Sequence, residues 1–381
     1  MINFIENNVR KCTLRLIYEN KDITYDVSDY IESFSFTERA KNGESDDISI
    51  TFRNNNQEWS NNWFPQRGAK ISAKIITENW NNVNDAYVLD CGSFEIDEIN
   101  DQGPPSTITI GALSVGISSS LRGQSNSKAW ENFRFSKIVS ELAKKHQFGV
   151  FFDCRYDPLI DRFDQKNESD LSFLLNVAEY IGVNLRIAKN KIIVYEEALY
   201  DNKTVSFSLT KNNDGYINHS FRASSADIYS ACHVQFLDSS SSKLMTYQYN
   251  LNGSSGILGE KASGGNIKID PVTRMVISEP VSTKKIEAPK VGKILKINRR
   301  CKSLTEAESL AKSMLRGKNK RELSGSLTFF GNLYLRAGLT LSLNQFGVWD
   351  GAKWVIDEVS HSYSKSSGLE TAITIRGALD Y

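Results

Sequence analysis

The sequence predicts a mainly β protein, α+β overall: two similar antiparallel β-barrel domains, a small inserted α/β module and a long loop-rich excursion. Two observations carry most of this. Short runs of alternating apolar and polar residues, parted by Asn- and Gly-containing turns, recur at the spacing of a barrel or sandwich. The same words also occur twice in the same order. Gly92-Ser-Phe94-Glu-Ile96-Asp97-Glu98-Ile99 followed by Thr107-Ile108-Thr109-Ile110-Gly111-Ala112-Leu113 answers to Gly351-Ala-Lys-Trp354-Val-Ile356-Asp357-Glu358-Val359 followed by Thr371-Ala-Ile373-Thr374-Ile375-Arg-Gly377-Ala378-Leu379. Upstream, Ser49-Ile-Thr51-Phe52 answers to Ser326-Leu-Thr328-Phe329, and Arg67-Gly68 with Ile71-Ser72 answers to Arg336, Gly338 and Leu341-Ser342. Four matches in one order, with gaps of variable length, read as a duplicated β-unit with insertions in its loops.

The first domain spans 1–119. Period-two alternation predicts strands at Thr13–Tyr18, Ile31–Phe36, Ile48–Phe52, Ile71–Ile76, Tyr87–Asp90, Phe94–Ile99 and Thr107–Ile110. Trp59, Trp63 and Phe64 before Pro65 crowd one connection and suit a plug at a barrel end, or an anchor for a partner. The inserted module covers 120–202. Phe135, Ile138, Val139, Leu142 and Ala143 share a helical face, with Ser136 as the expected N-cap. A strand follows at Gly149–Asp153, then a helix from about Glu168 to Ile181 that Gly182 ends, then strands at Asn184–Ile187 and Lys191–Tyr195. The second barrel domain, 203–381, has strands at Val205–Leu209 and Ser230–Phe236. The Ser-, Gly- and Asn-rich excursion at about 237–290 interrupts it, composition that buries little apolar area. After a strand at Lys293–Asn298 comes a helix with the capping box Ser303-Leu-Thr-Glu306, expected to end at Gly317.

Over 381 residues, 46 basic side chains nearly cancel 45 acidic ones, so no global field gathers nucleic acid or an anionic membrane. No apolar run approaches membrane-spanning length, and the polar start lacks a signal-peptide pattern, so the expectation is a soluble protein made without export. Cys12, Cys91, Cys154, Cys232 and Cys301 are odd in number, far apart and mostly in strand-like runs, which suits small buried hydrophobes. The four histidines, His146, His219, His233 and His361, match no metal spacing. No G-x-S-x-G elbow is present, and Gly253-Ser-Ser-Gly-Ile-Leu-Gly259-Glu-Lys261 misses the phosphate-loop spacing. The sequence therefore offers no catalytic, cofactor-binding or metal-binding residues. The doublets Asp97-Glu98 and Asp357-Glu358 split across a strand by simple alternation, one acid outward and the other a hydrogen-bond partner. Asp97 and Asp357, at matched places, are candidate interface residues. The basic cluster Arg316, Lys318, Lys320 and Arg321 follows a helix end, where cations complement the dipole. Its functional reading is a positive lining against a polyanion or an acidic partner helix.

Two further stretches resemble a known family. Gln165-Lys-Asn167-Glu168-Ser169-Asp170-Leu-Ser-Phe173-Leu174-Leu-Asn-Val-Ala178-Glu-Tyr-Ile-Gly182 is one, and Thr305-Glu-Ala307-Glu-Ser-Leu-Ala311 followed by Asp350-Gly351 and Ile356 is the other. With the repeat, they make the chain similar to the phage late-control D/VgrG-like baseplate hub proteins of contractile tails. The resemblance implies a non-enzymatic structural protein of a phage tail or phage-tail-like particle such as an R-type bacteriocin, assembled in the bacterial host cytoplasm. It implies a homotrimer whose six near-equivalent β-units face the six-fold tail tube, while its other side meets a three-fold spike. Tube, spike, tape-measure and other baseplate proteins are the implied partners, with no membrane and no sequence-specific nucleic acid. Spike and cell-wall hydrolase are then expected on separate chains. A tail-associated cell-wall hydrolase built on the α/β module and a carbohydrate-binding tail protein are the alternatives. The first needs a convergent catalytic set, the second exposed aromatics on one face.

Overall fold

The computed structural model describes residues 9–379 and 381, apart from 41–42, 115–120, 214, 226–227, 239–242, 252–254, 259–260, 264–266, 270–275, 279–282 and 286–291. The fold is mainly β, and the chain forms two compact units. One comprises Met1–Glu179, Val183–Phe221 and Ser324–Ala378; the other comprises Tyr180–Gly182, Arg222–Leu323 and Leu379–Tyr381.

The first unit begins with β1 (Lys11–Tyr18), β2 (Lys21–Asp22), the short α1 (Thr24–Val27), β3 (Ile31–Arg39), β4 (Asp47–Arg53), β5 (Lys70–Glu78), β6 (Ala86–Gln102) and β7 (Thr107–Ser114). Alternation decides which face is buried: Ile71, Ala73, Ile75 and Thr77 of β5 point in, as do Ile108, Ile110, Ala112 and Ser114 of β7. Leu16, Phe36, Ile50, Phe52 and Phe94 complete this core, each such side chain stabilising by about 1.5–3 kcal/mol. Trp59 lies within it, stacked on Phe52 at 4.0 Å, so it is the plug; Trp63 and Phe64 stay partly exposed. The two strands expected at Tyr87–Asp90 and Phe94–Ile99 are one. Gly92 does not turn the chain; at φ +102° it serves a bulge against β5, and pairing resumes on both sides.

The α/β module follows as β8 (Ser125–Arg134), α2 (Phe135–Lys145), β9 (Gly149–Asp153), β10 (Leu159–Ser169), α3 (Asp170–Ile181), β11 (Asn184–Ala188), β12 (Lys191–Tyr195) and α4 (Glu197–Asp201). β8 and β10 pair with each other, and β12 pairs with β11 and, in parallel, with β9. The β8–β10 ladder has no sequence signature because only Trp130 and Phe133 of β8 are buried. It also takes Glu168 and Ser169 away from the expected helix, which starts at Asp170. Ser136 does not cap α2. Its amide and hydroxyl both donate to Asp157, at 3.3 and 2.6 Å, so Asp157 satisfies that helix start from a distance.

Two strands, β13 (Phe207–Thr210) and β14 (Tyr216–Ala223), precede the second unit. There β15 (Tyr229–Asp238), β16 (Lys243–Asn250), β17 (Gly256–Ile257), the short β18 (Lys261–Ser263), β19 (Ile267–Ile269), β20 (Val276–Ser278) and β21 (Thr283–Lys285), then β22 (Lys293–Cys301), lead to α5 (Leu304–Asn319). The sheet order is β17-β16-β15-β22, with β15 and β22 parallel. Ala307, Leu310, Ala311 and Leu315 of α5 pack on Cys232, Val234, Phe236 and Tyr247. Ser303 caps α5 through Glu306 N at 3.2 Å, and Glu306 accepts from Lys302 N at 2.8 Å, so the box closes one residue early. Gly317 lies inside the helix rather than at its end. The expected excursion at 237–290 is thus more than loop: β16 is a core strand, with Tyr247, Gln248 and Asn250 buried. Parts of that stretch lie outside the described residues.

The first unit resumes with β23 (Leu323–Phe329), β24 (Thr340–Asn344), β25 (Lys353–Ser364) and β26 (Gly368–Gly377). The duplication is real. One continuous sheet contains β14-β23-β26-β25 followed directly by β3-β4-β7-β6, the same strand order twice. Ser49 pairs with Gly111 as Ser326 pairs with Thr374, and Ile71 pairs with Phe94 as Leu341 pairs with Trp354. This register corrects one word match. Gly111-Ala112-Leu113 is not equivalent to Gly377-Ala378-Leu379, because Ala112, facing Ile96, corresponds to Ile375, facing Ile356. The copies differ in their flanks. β1 joins β5 antiparallel, whereas β13 joins β24 in parallel.

Candidate assembly interface

Each copy is marked by a β-bulge at its Ile-Asp-Glu triplet. Ile96 faces Ala112 and Glu98 faces Gly111, leaving Asp97 as the extra residue; Ile356 faces Ile375 and Glu358 faces Thr374, leaving Asp357. Matching clasps hold both. Gly68 N donates to Ile96 O at 2.7 Å and Ile96 N to Ala69 O at 3.0 Å, as Gly338 N does to Ile356 O at 2.8 Å and Ile356 N to Leu339 O at 2.9 Å. Gly68 and Gly338 stand at φ +84° and +88°, a left-handed conformation that a side chain disfavours. A bulge re-aims the side chains beyond it. Phe94 and Ile96 are buried before it, and Val359 and His361 are buried after it in the second copy. Simple alternation therefore fails at the acid doublets, and Asp97 and Glu98 are both exposed. The signal was present as an apolar spacing of three, Ile96 to Ile99 and Ile356 to Val359.

The copies meet where β3 pairs antiparallel with β25, Glu358 opposite Arg39 and Ser364 opposite Ser33. Phe36 of β3 lies flat against His361 of β25 at 6.3 Å and edge-on to Phe94 at 6.1 Å. Arg39 reaches Glu358 at 3.2 Å and also binds Asp47. Glu38 accepts from Nε and Nη2 of Arg336 at 2.7 and 3.0 Å, and from Ala337 N at 3.1 Å. Burial works against the Glu38 charge, but Arg336 and Arg186 outweigh it and hold its carboxyl below the ordinary range. Asp46, with Arg186 no closer than 3.8 Å, is instead pushed by burial up to about 6. Burial lowers His361 to about 4, with Arg336 adding to the effect. Sequence reasoning singled out Arg336 through the repeat, but nothing marked Glu38, Arg39, Asp46 or Arg186.

Asp357 does not point outward. Its carboxylate accepts from Arg376 Nε at 3.1 Å, and Arg376 also binds Asp201 at 2.8 and 2.9 Å and Glu197 at 3.1 Å. This correction has a simple cause: a buried guanidinium needs several carboxylates, and the bulge aims Asp357 at it. The group borders a cavity of about 290 Å³ lined also by Arg186, Tyr195 and Tyr200. Its carboxylates are held by Arg376, which fits structural support rather than proton transfer. Among the described residues no cluster of three or more His, Cys, Asp or Glu could hold a metal.

The basic cluster is dispersed as well. Arg316 is buried, donating to the carbonyls of Leu379 and Tyr381, while Lys318 and Arg321 are exposed and Lys320 is half-buried. In the segment that carries the family resemblance, Asp170 is buried and accepts from Lys145 at 2.7 Å, Gln165 at 2.8 Å and Asn126 at 3.0 Å, with the His146 ring 2.7 Å away. Burial opposes its charge, but these hydrogen bonds prevail and hold the carboxyl far below its usual range. That motif is thus a lock tying α3 to α2, β8 and β10. No helix among the described residues is long and apolar enough to cross a membrane.

No family model matches the chain. It is 26% identical over 180 residues to a probable baseplate hub protein of Escherichia phage 186, and 27% identical over 183 residues to that of Escherichia phage P2, in each case 47% of this chain. The chain spans 43% of the length of each of these relatives. Among solved structures, a tail protein from Neisseria meningitidis superposes with a TM-score of 0.62 at 10% identity, covering 96% of both chains. A prophage tail protein of Shewanella oneidensis gives 0.60 at 14% identity, covering 96% of this chain and 98% of the other. Such distant likenesses establish the shared fold.

Proposed function

We infer that this chain, which belongs to the baseplate hub family, works as a trimeric ring: three subunits present six near-equivalent β-units to a six-fold tail tube and offer a three-fold face to a central spike. The observation that carries this reading is the duplication. One chain holds two copies with the same strand order, bulge and glycine clasp, joined head to tail through β3 and β25. A subunit built as two equivalent halves solves the mismatch between six-fold and three-fold partners, since repeating its internal step generates cyclic symmetry. The differing flanks β1 and β13 keep the halves distinguishable, which a three-fold partner needs. Tube, spike, tape-measure and other baseplate proteins are the partners of this reading. The chain's role is scaffolding without catalysis, in the tail of a phage or a phage-tail-like particle. Of the interface candidates, Asp97, Lys318 and Arg321 have the exposure to meet a partner.

The test is the mass of the purified chain. Light scattering across a concentration series should give three chains per particle, and electron micrographs should show rings with six-fold pseudosymmetry. A monomer or dimer at every concentration refutes the reading.

A further inference from the structure

Arg186 lines the cavity beside Arg376 with a guanidinium that no acceptor of the protein holds. Its side chain is 12% exposed, its Nε has no hydrogen-bond partner, and the nearest carboxylates, Glu38 and Asp46, stand at 3.6 and 3.8 Å. Both distances exceed a hydrogen bond. Glu38 is already taken by two nitrogens of Arg336, and Asp46 is pushed by burial up to about 6, so neither closes on Arg186. A nearly buried cation in that state costs stability until something else accepts from it.

The rest of the lining says what could. The cavity, of about 290 Å³, has room for a ligand of roughly ten non-hydrogen atoms. Its charged side chains cancel, Arg186, Lys203 and Arg376 against Glu197, Asp201 and Asp357, which favours a ligand of no net charge. The signs are nonetheless set apart. Arg186 comes from β11, whereas Asp357 of β25 and Glu197 and Asp201 of α4 converge on Arg376. A carboxylate accepts several hydrogen bonds, so that group can take a further donor. Ile193, Leu339 and Val355 add apolar wall. A guanidinium matches a planar carboxylate, and carboxylates match a compact ammonium.

We propose that this cavity binds a small zwitterion of the α-amino-acid type. Its carboxylate sits on Arg186, its ammonium on Glu197 and Asp357, and its apolar side chain against Ile193, Leu339 and Val355. All of these residues belong to the first unit of a single chain, so the site stands whether or not three subunits close into a ring.

The experiment is calorimetric titration of the full chain with L-leucine, beside isoamylamine, which lacks the carboxylate, and 4-methylpentanoate, which lacks the ammonium. Leucine should bind saturably and each truncated analogue about tenfold or more weakly, the loss expected for one charged partner. Arg186→Gln should weaken leucine by about tenfold and leave isoamylamine unchanged. Glu197→Gln should weaken leucine and isoamylamine alike and leave 4-methylpentanoate unchanged. Melting without ligand checks that each variant is folded, and the analogue series on the unaltered chain decides by itself if one is not. Absence of saturable leucine binding up to about 10 mM overturns the site. Equal binding of leucine and 4-methylpentanoate overturns the zwitterion. N-acetyl-leucine binding as tightly as leucine would assign the cavity to the C-terminal carboxylate of a polypeptide and overturn the free amino acid.

Discussion

Phe94 and Trp354 occupy the same place in the two copies, each two residues before the Ile of the bulged triplet, and each is fully buried. Phe94→Ala and Trp354→Ala should each cost about 3–5 kcal/mol, read as a shift in the chemical-denaturation midpoint. A cost below about 1 kcal/mol at either place would mean the copies are not packed alike. Asp46 makes a second prediction. Its folded carboxyl, raised to about 6, holds its proton more tightly than the unfolded chain does at about 3.9, so its ionisation lowers stability as pH rises from 4 to 6. His361, lowered to about 4, acts with opposite sign, adding stability as pH rises from 4 towards 6.5. The two slopes offset each other in the wild type. Asp46→Asn removes the falling one, so the variant's unfolding free energy should climb between pH 4 and 6.5 more steeply than the parent's. Parallel profiles would show that Asp46 is not the group titrating.

Elements were legible where one face is buried and obscure where neither is. β5 and β7 alternate cleanly, whereas β8 buries two side chains in ten residues and reads as loop. Bulges confused the reading in both directions: Gly92 looked like a turn, and the acid doublets looked like regular strand. The Ser- and Gly-rich stretch misled by composition, since β16 is held through Tyr247, Gln248 and Asn250 at positions that average out over a long polar window. Its halves should respond differently to deletion. Replacing 259–291 with a flexible linker of about fifteen residues should preserve cooperative melting of the second unit. Extending the deletion back to 243 removes β16 from under α5 and should abolish it, as judged by protease resistance and calorimetry. Equal loss from both deletions would place the short strands β18 to β21 in the core.

At the scale of the whole molecule, the repeat was the most informative feature of the sequence, because three ladders and a bulge confirm the order in which its words occur. The interface was less legible. Asp97 and Asp357 were rightly paired by position, yet one is exposed and the other is held by Arg376, an arginine whose counterpart in the first copy is Leu113. Equivalent backbones had diverged in side-chain use, and a sequence comparison reports only the former. Glu38, Arg39 and Arg186 come together from separate stretches, so their partnership existed only once the strands were ordered. Among the described residues β14 ends the strand order and β6 has no strand beside it past Glu95 on its β5 side; these two open edges have a consequence in time rather than in space. Until both are covered, every newly made chain is a template that any unpaired strand can extend, and its own copies are the best-matched candidates. Ile217 lies exposed on one of those edges. If the chain assembles as the proposed ring, assembly is a race against indiscriminate strand addition, with a finish that removes the hazard: a closed ring has no edge left to grow from.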